Sequence, residues 1–202
     1  MRFLERNRAL IFPVPHRSRK GILRGAIVLF FYLAQSPIVF PTYGVDFDQI
    51  YEYYKKGNYD VLVRASRPVL RKGEVDYKIL LLYVASEPNL EEIDKTLTSI
   101  FERSKKHPGI FYNAVYLFLE RALVLEATEP GGRWGKIFLE HGESSVRYAE
   151  GVYTYACILY SSKDYESAEG ILQKAKEISH DAKLGKRLKI LELSLQKSKE
   201  GK

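Results

Sequence analysis

Glu140-His141-Gly142-Glu143 is the densest cluster of potential ligands, and metal coordination is the chemistry it would serve. A site there needs another ligand, yet His16, His107 and His180 stand at no helical ligand spacing from it or from each other. A solvated turn is the simpler reading. Gly131-Gly132-Arg133-Trp134-Gly135-Lys136 invites comparison with a phosphate-binding loop. That loop requires a glycine five positions before the Gly-Lys pair and a hydroxyl residue after it, and Pro130 and Ile137 hold those places. The glycines are therefore expected to form a flexible turn between helices, with Trp134 as an apolar plug packed by the neighbouring helices. Cys157 is the sole cysteine, which excludes an internal disulfide and a multi-cysteine metal site. With no adjacent histidine it reads as a buried or half-buried thiol. Glu91-Glu92, with Asp94 close by, reads as the acidic first turn of a helix rather than an acid–base pair. No catalytic constellation emerges, so neither enzymatic activity nor a metal or cofactor is expected.

The elements that carry these residues are helices. From Val45 onward, apolar runs at helical spacing alternate with short breakers, and no strand pattern intervenes. Turns are expected at Lys56-Gly57-Asn58, Lys72-Gly73, Glu87-Pro88-Asn89, His107-Pro108-Gly109, Glu129-Pro130-Gly131-Gly132, Ser162-Lys163-Asp164 and Ser179-His180-Asp181. The helices then cover 46–56, 59–71, 75–86, 90–106, 110–128, 145–162, 165–179 and 182–198, with a shorter piece over 133–140. Gly57 to Pro88 spans 31 residues, Pro88 to Glu129 spans 41, and Glu129 to Lys163 spans 34. An elongated helix 110–128 would absorb the excess of the middle interval. A period of about 34 residues with two helices each is the mark of an all-α helical solenoid.

Charge divides the chain at Gly44. The 202 residues carry a net +7, but up to Gly44 there are seven basic side chains against Glu5 alone. Residues 45–202 hold 25 basic and 24 acidic side chains, a balance that disfavours a nucleic-acid partner. Residues 25–45 contain no charge, and their most apolar stretch, 26–34, is followed by Pro37 and Pro41. This reads as a signal peptide or an N-terminal membrane anchor over 1–44, with cleavage after Gly44 the best-placed cut. A buried apolar core helix is the alternative. An exported, periplasmic or envelope-associated protein follows, and membrane contact stays open through the N-terminal segment.

Tyr155-Ala156 and Leu159 share one helix face, and Tyr165, Ala168, Leu172 and Ala175 share another beyond Asp164. This segment resembles a tetratricopeptide (TPR) repeat, whose small residues let two antiparallel helices approach closely. The turn at Tyr53-Tyr54-Lys55-Lys56-Gly57-Asn58-Tyr59-Asp60 is similar, with Gly57 and Tyr59 at packing positions, although Leu62 stands where the family prefers alanine. The units around Pro88 and Glu129 match only in apolar spacing, so the repeats are degenerate. The resemblance implies a short right-handed array over 45–202, closed by a capping helix at about 182–198 whose stripe is Leu184, Leu188, Leu191 and Leu195. It also implies an inner groove, for which Phe47, Tyr51, Tyr54, Leu82, Tyr153, Cys157 and Tyr160 are the candidate lining. Tyrosine suits such a role through its large contact area and polar tip. Packing between adjacent helices is the competing role for the same residues. The expected function is non-catalytic binding of an unidentified protein's extended segment or helix, with a nucleic-acid-binding helical repeat as the alternative.

Overall fold

The computed structural model describes residues 45–103 and 106–200. The expected leader and its cleavage point lie outside the described residues. Those described are all-helical and contain no strand. The elements are α1 (Phe47–Lys55), α2 (Tyr59–Leu70), α3 (Tyr77–Ser86), α4 (Leu90–Arg103), α5 (Gly109–Val124), α6 (Thr128–His141), a 3-10 turn (Gly142–Ser144), α7 (Tyr148–Ser161), α8 (Tyr165–Ile178) and α9 (Ala182–Glu200).

Local chemistry sets the ends. Asp46, Asp76 and Asp164 cap α1, α3 and α8, their carboxylates accepting from the amides of Gln49, Lys78 with Ile79, and Ser167. Three hairpins close through one turn geometry. In the first, Asn58 N–H donates to the Tyr53 carbonyl (2.9 Å) and Gly57 N–H to that of Tyr54 (3.0 Å), with Gly57 left-handed at φ 70°. Ala127 and Glu126 repeat this against Ala122 and Leu123, and Asp164 and Lys163 against Leu159 and Tyr160. Glu126 and Lys163 take the left-handed position at φ 55° and 66°. The α3–α4 connection differs: Glu87 is extended before Pro88, and its buried carboxylate accepts from Arg67 at 2.8 Å.

The turn expected at 129–132 is a correction. It falls at 125–127, α5 ends at Val124 rather than 128, and Glu129, Pro130, Gly131 and Gly132 lie inside α6. Pro130 is tolerated there because the first turn of a helix leaves its amides unbonded. Gly132 has open space where a Cβ would stand, whereas Gly131 faces Ile158 of α7 and Ala122 of α5 at close range. Helix α7 presses onto α6 so closely that a Cβ on Gly135 would lie 2.1 Å from the Tyr155 ring. Reciprocally, one on Gly151 would lie 2.2 Å from Phe138.

Packing distinguishes odd from even helices. Helix α3 contacts α1 and α5, and α5 in turn contacts α7. Helix α2 packs on α1 and α3, α6 on α5 and α7, and α8 on α7 and α9. Accordingly α5 is apolar nearly all round, burying Phe111, Val115, Phe118, Leu119 and Ala122 among others, whereas α4 buries the single stripe Ile93, Leu97 and Ile100. Guanidinium groups cap helix ends two elements back. Arg103 on α4 donates to the Leu70 and Lys72 carbonyls at the C-terminal end of α2, and Arg121 on α5 to those of Val84, Glu87 and Pro88 at the C-terminal end of α3. Trp134 fills the centre between Phe101, Phe111 and Phe118, its indole N–H donating to Asp94 at 2.6 Å. Helix α9 lays Leu184, Leu188, Leu191 and Leu195 onto the core formed by α7 and α8.

Candidate functional site

Each central odd helix has odd neighbours on its flanks and even helices behind. Its exposed side must therefore face away from the even layer. On α3 that line is Lys78, Leu82 and Ala85, and on α5 it is Asn113, Leu117, Glu120 and Val124, both at spacings of four and three. Helix α1 supplies Phe47, Tyr51 and Tyr54. Phe47 and Tyr51 stack with centroids 5.7 Å apart and planes 12° apart. Lys55 Nζ lies 5.1 Å above the Tyr51 ring, and Lys78 Nζ, from α3, lies 5.4 Å above Phe47. Tyr54 turns edge-on to Tyr59 at 5.8 Å. The result is an aromatic corner with a cationic rim, continued across α3 and α5 by Leu82, Leu117 and Val124. Tyr51 and Val124 are each 42% exposed, so this face is open to solvent.

The α7 residues expected on the same face are placed elsewhere. Tyr153 is only 3% exposed and Cys157 is buried, both under α9. The Arg187 guanidinium lies 4.6 Å over the Tyr153 ring, and Tyr160 shares a hydrogen bond of 3.2 Å with Ser198. Burial, joined by a contact with Cys157, holds the Tyr153 phenol well above the usual range. The physical cause is the leucine stripe of α9, which draws the closing helix over the face that α7 would otherwise offer.

Among the expected packing residues, Ala156, Ala168, Leu172 and Ala175 are buried in one cluster, with Leu159 and Tyr165 half-buried against it. Gly57 occupies the left-handed turn position, while Tyr59 is 40% exposed on the outside of its turn. Sequence spacing missed Leu117 and Val124. The α5 line was detectable as a 4-3-4 spacing, but only the tertiary contacts show which side of an all-round apolar helix stays open.

Chemically reactive groups are spoken for. Burial pushes the Cys157 thiol up to about 11, so it is protonated and a poor nucleophile at neutral pH. His107 stacks on Phe111 at 4.3 Å, and its ring nitrogens lie 3.2 Å from the Tyr77 hydroxyl and the Phe101 carbonyl. Asp94, expected only as helix-start charge, accepts from both Trp134 and Arg133. Glu91 pairs with Lys95 at 2.7 Å, which lowers its carboxyl from the usual value. Among the described residues no group of three or more His, Cys, Asp or Glu is placed to hold a metal ion, and no helix is long and apolar enough to cross a membrane. A shallow hollow between α8 and α9 is lined by Lys176, Ser179, Gly185, Leu188, Lys189 and Glu192, with Lys176 already paired to Glu192 at 2.5 Å. No protein-family model matches the chain, and no curated protein or solved structure is significantly similar to it.

Proposed function

We propose that the chain is a TPR-like helical repeat scaffold that takes up an extended segment or helix of a protein partner on the face of α1, α3 and α5. The recurrence of one hairpin turn at Gly57, Glu126 and Lys163 supports a repeat array. So do the arginine caps, which bridge residues 31 to 37 positions apart. The observation that carries the binding role is the stacked Phe47–Tyr51 pair beneath Lys55 and Lys78, Phe47 half-buried and Tyr51 open to solvent. Aromatic anchors of this kind dominate protein interfaces because they bury large area at little entropic cost. The basic and apolar character of residues 1–44 places this scaffold at the cell envelope in our reading, exported or tethered.

The test is a Tyr51→Ser, Val124→Ser double variant, both side chains being exposed. Melting should shift little. Capture of the partner from envelope fractions should fall by ~30-fold, the equivalent of ~2 kcal/mol lost with an anchor. Retained capture refutes the assigned face. Binding that collapses steeply with salt, along with co-purifying nucleic acid, would replace the protein partner by the alternative. Amino-terminal sequencing of exported material should begin near Val45 or, for an anchor, at Met1 in the membrane fraction.

A further inference from the structure

Charge is segregated along the described chain. Residues 45–181 carry 18 basic and 22 acidic side chains, whereas α9 carries six basic and two acidic. The α9 cations are not spread evenly. The leucine stripe fixes one side of the helix to α7 and α8. On the opposite side, Lys186, Ile190, Leu193 and Lys197 follow one another at spacings of four, three and four, forming a single straight line. Lys183 and Lys189 flank it. Ile190 is 46% and Leu193 49% exposed, a departure from the all-polar outer face that a closing helix needs for solubility alone. Neighbouring lysines are neutralised: Lys176 by Glu192 and Lys199 by Glu169, both at 2.5 Å. Lys183, Lys186, Lys189 and Lys197 make no ion pair among the described residues.

We propose that this outer face of α9 docks on an anionic lipid surface. Four uncompensated lysines meet lipid phosphates by charge complementarity. Their methylene stems lie along the helix while the ammonium groups reach outward, and the two aliphatic side chains enter the interface between them. A nucleic-acid backbone would satisfy the lysines but leave Ile190 and Leu193 facing a charged groove. A second copy is the other candidate occupant, and it is separated by the experiment. The face is distinct from the α1–α3–α5 surface, so this inference stands apart from the partner-binding proposal.

The experiment uses the full chain with Ile190→Cys carrying an environment-sensitive fluorophore. Cys157, buried and protonated, stays unlabelled, with the unsubstituted chain as the labelling control. Because residues 1–44 contain an apolar run of their own, the readout is positional: a second label at exposed Arg64→Cys on α2, which packs on α1 and α3, reports a surface other than α9. Vesicles of equal parts phosphatidylcholine and phosphatidylglycerol should shift the residue-190 emission to the blue and leave residue 64 unchanged, and salt should reverse the shift. Pure phosphatidylcholine should give none. Replacing Lys186, Lys189 and Lys197 with Gln should raise the lipid concentration needed by on the order of a hundredfold, with the circular dichroism melt retained. No blue shift on anionic vesicles overturns the proposal, as does an equal shift at both labels or insensitivity to the lysine substitutions. A shift that grows with protein concentration in the absence of lipid assigns the face to a second copy instead.

Discussion

Two glycine-to-alanine substitutions on α6, three residues apart, should move stability in opposite directions. In a helix interior alanine is favoured over glycine by about 1 kcal/mol, because glycine loses more backbone freedom on folding. At Gly132 an added Cβ meets nothing within 4 Å. Gly132→Ala should therefore realise that gain, a rise in melting temperature of about 2–4 °C for a chain of this size. At Gly135 the same methyl group would lie 2.1 Å from Tyr155 Cδ2 and 2.6 Å from Cγ. Carbon atoms settle at about 3.5 Å or more, so the ring must retreat by about 1.4 Å. The ring belongs to α7, which α5, α6 and α8 hold in place. Overpacking of this kind costs about 1–3 kcal/mol, which outweighs the propensity gain. Since both variants share the propensity gain, they should differ by the overpacking cost, about 1–3 kcal/mol in chemical denaturation, with Gly135→Ala the weaker. Gly151→Ala, facing Phe138 at 2.2 Å, should behave like Gly135→Ala. Combined, those two should cost less than their sum, since either one already separates α6 from α7. If Gly135→Ala proves as stable as Gly132→Ala, the close approach of these helices is wrong.

The remaining predictions address the carboxyl-terminal half. Ala168 is fully buried between α7 and α8, so Ala168→Phe should lose about 1–3 kcal/mol in thermal melts, while Glu166→Ala on the exposed side should change little. With Tyr153 under Arg187 and Tyr160 bonded to Ser198, the Tyr153→Ser, Tyr160→Ser pair should cost about 3–5 kcal/mol. An unchanged melt would return both residues to an open face. Cys157 should resist iodoacetamide at pH 8 in the folded chain and react once denatured. Its folded pKa of about 11 exceeds the ordinary 9.0, so the folded state holds this proton more tightly. The associated stability is present below pH 9 and is lost as pH rises through 11, and this decline should be shallower in Cys157→Ala.

Most of the helices are legible in the chain itself, because local signals specify them. Apolar spacing, aspartate caps and breakers at Gly57, Pro88 and Lys163 act over a few residues and compete with nothing distant. The all-α class and the leucine stripe of α9 are legible for the same reason. Gly131-Gly132 is the instructive failure. Locally, adjacent glycines after a proline favour a turn, whereas in the fold they continue a helix whose buried side, Gly131, Trp134, Gly135 and Phe138, packs on α5 and α7. The aromatic residues divide along the same line. Phe47, Tyr51 and Tyr54 run at the same spacing of four and three as Tyr153, Cys157 and Tyr160, yet α9 covers the α7 set and leaves Tyr51 open. Spacing records which residues share a face of one helix; burial depends on whether another helix, distant in the chain, comes to rest on it. That choice belongs to the tertiary structure, since the energy of covering a face lies in contacts no local window contains.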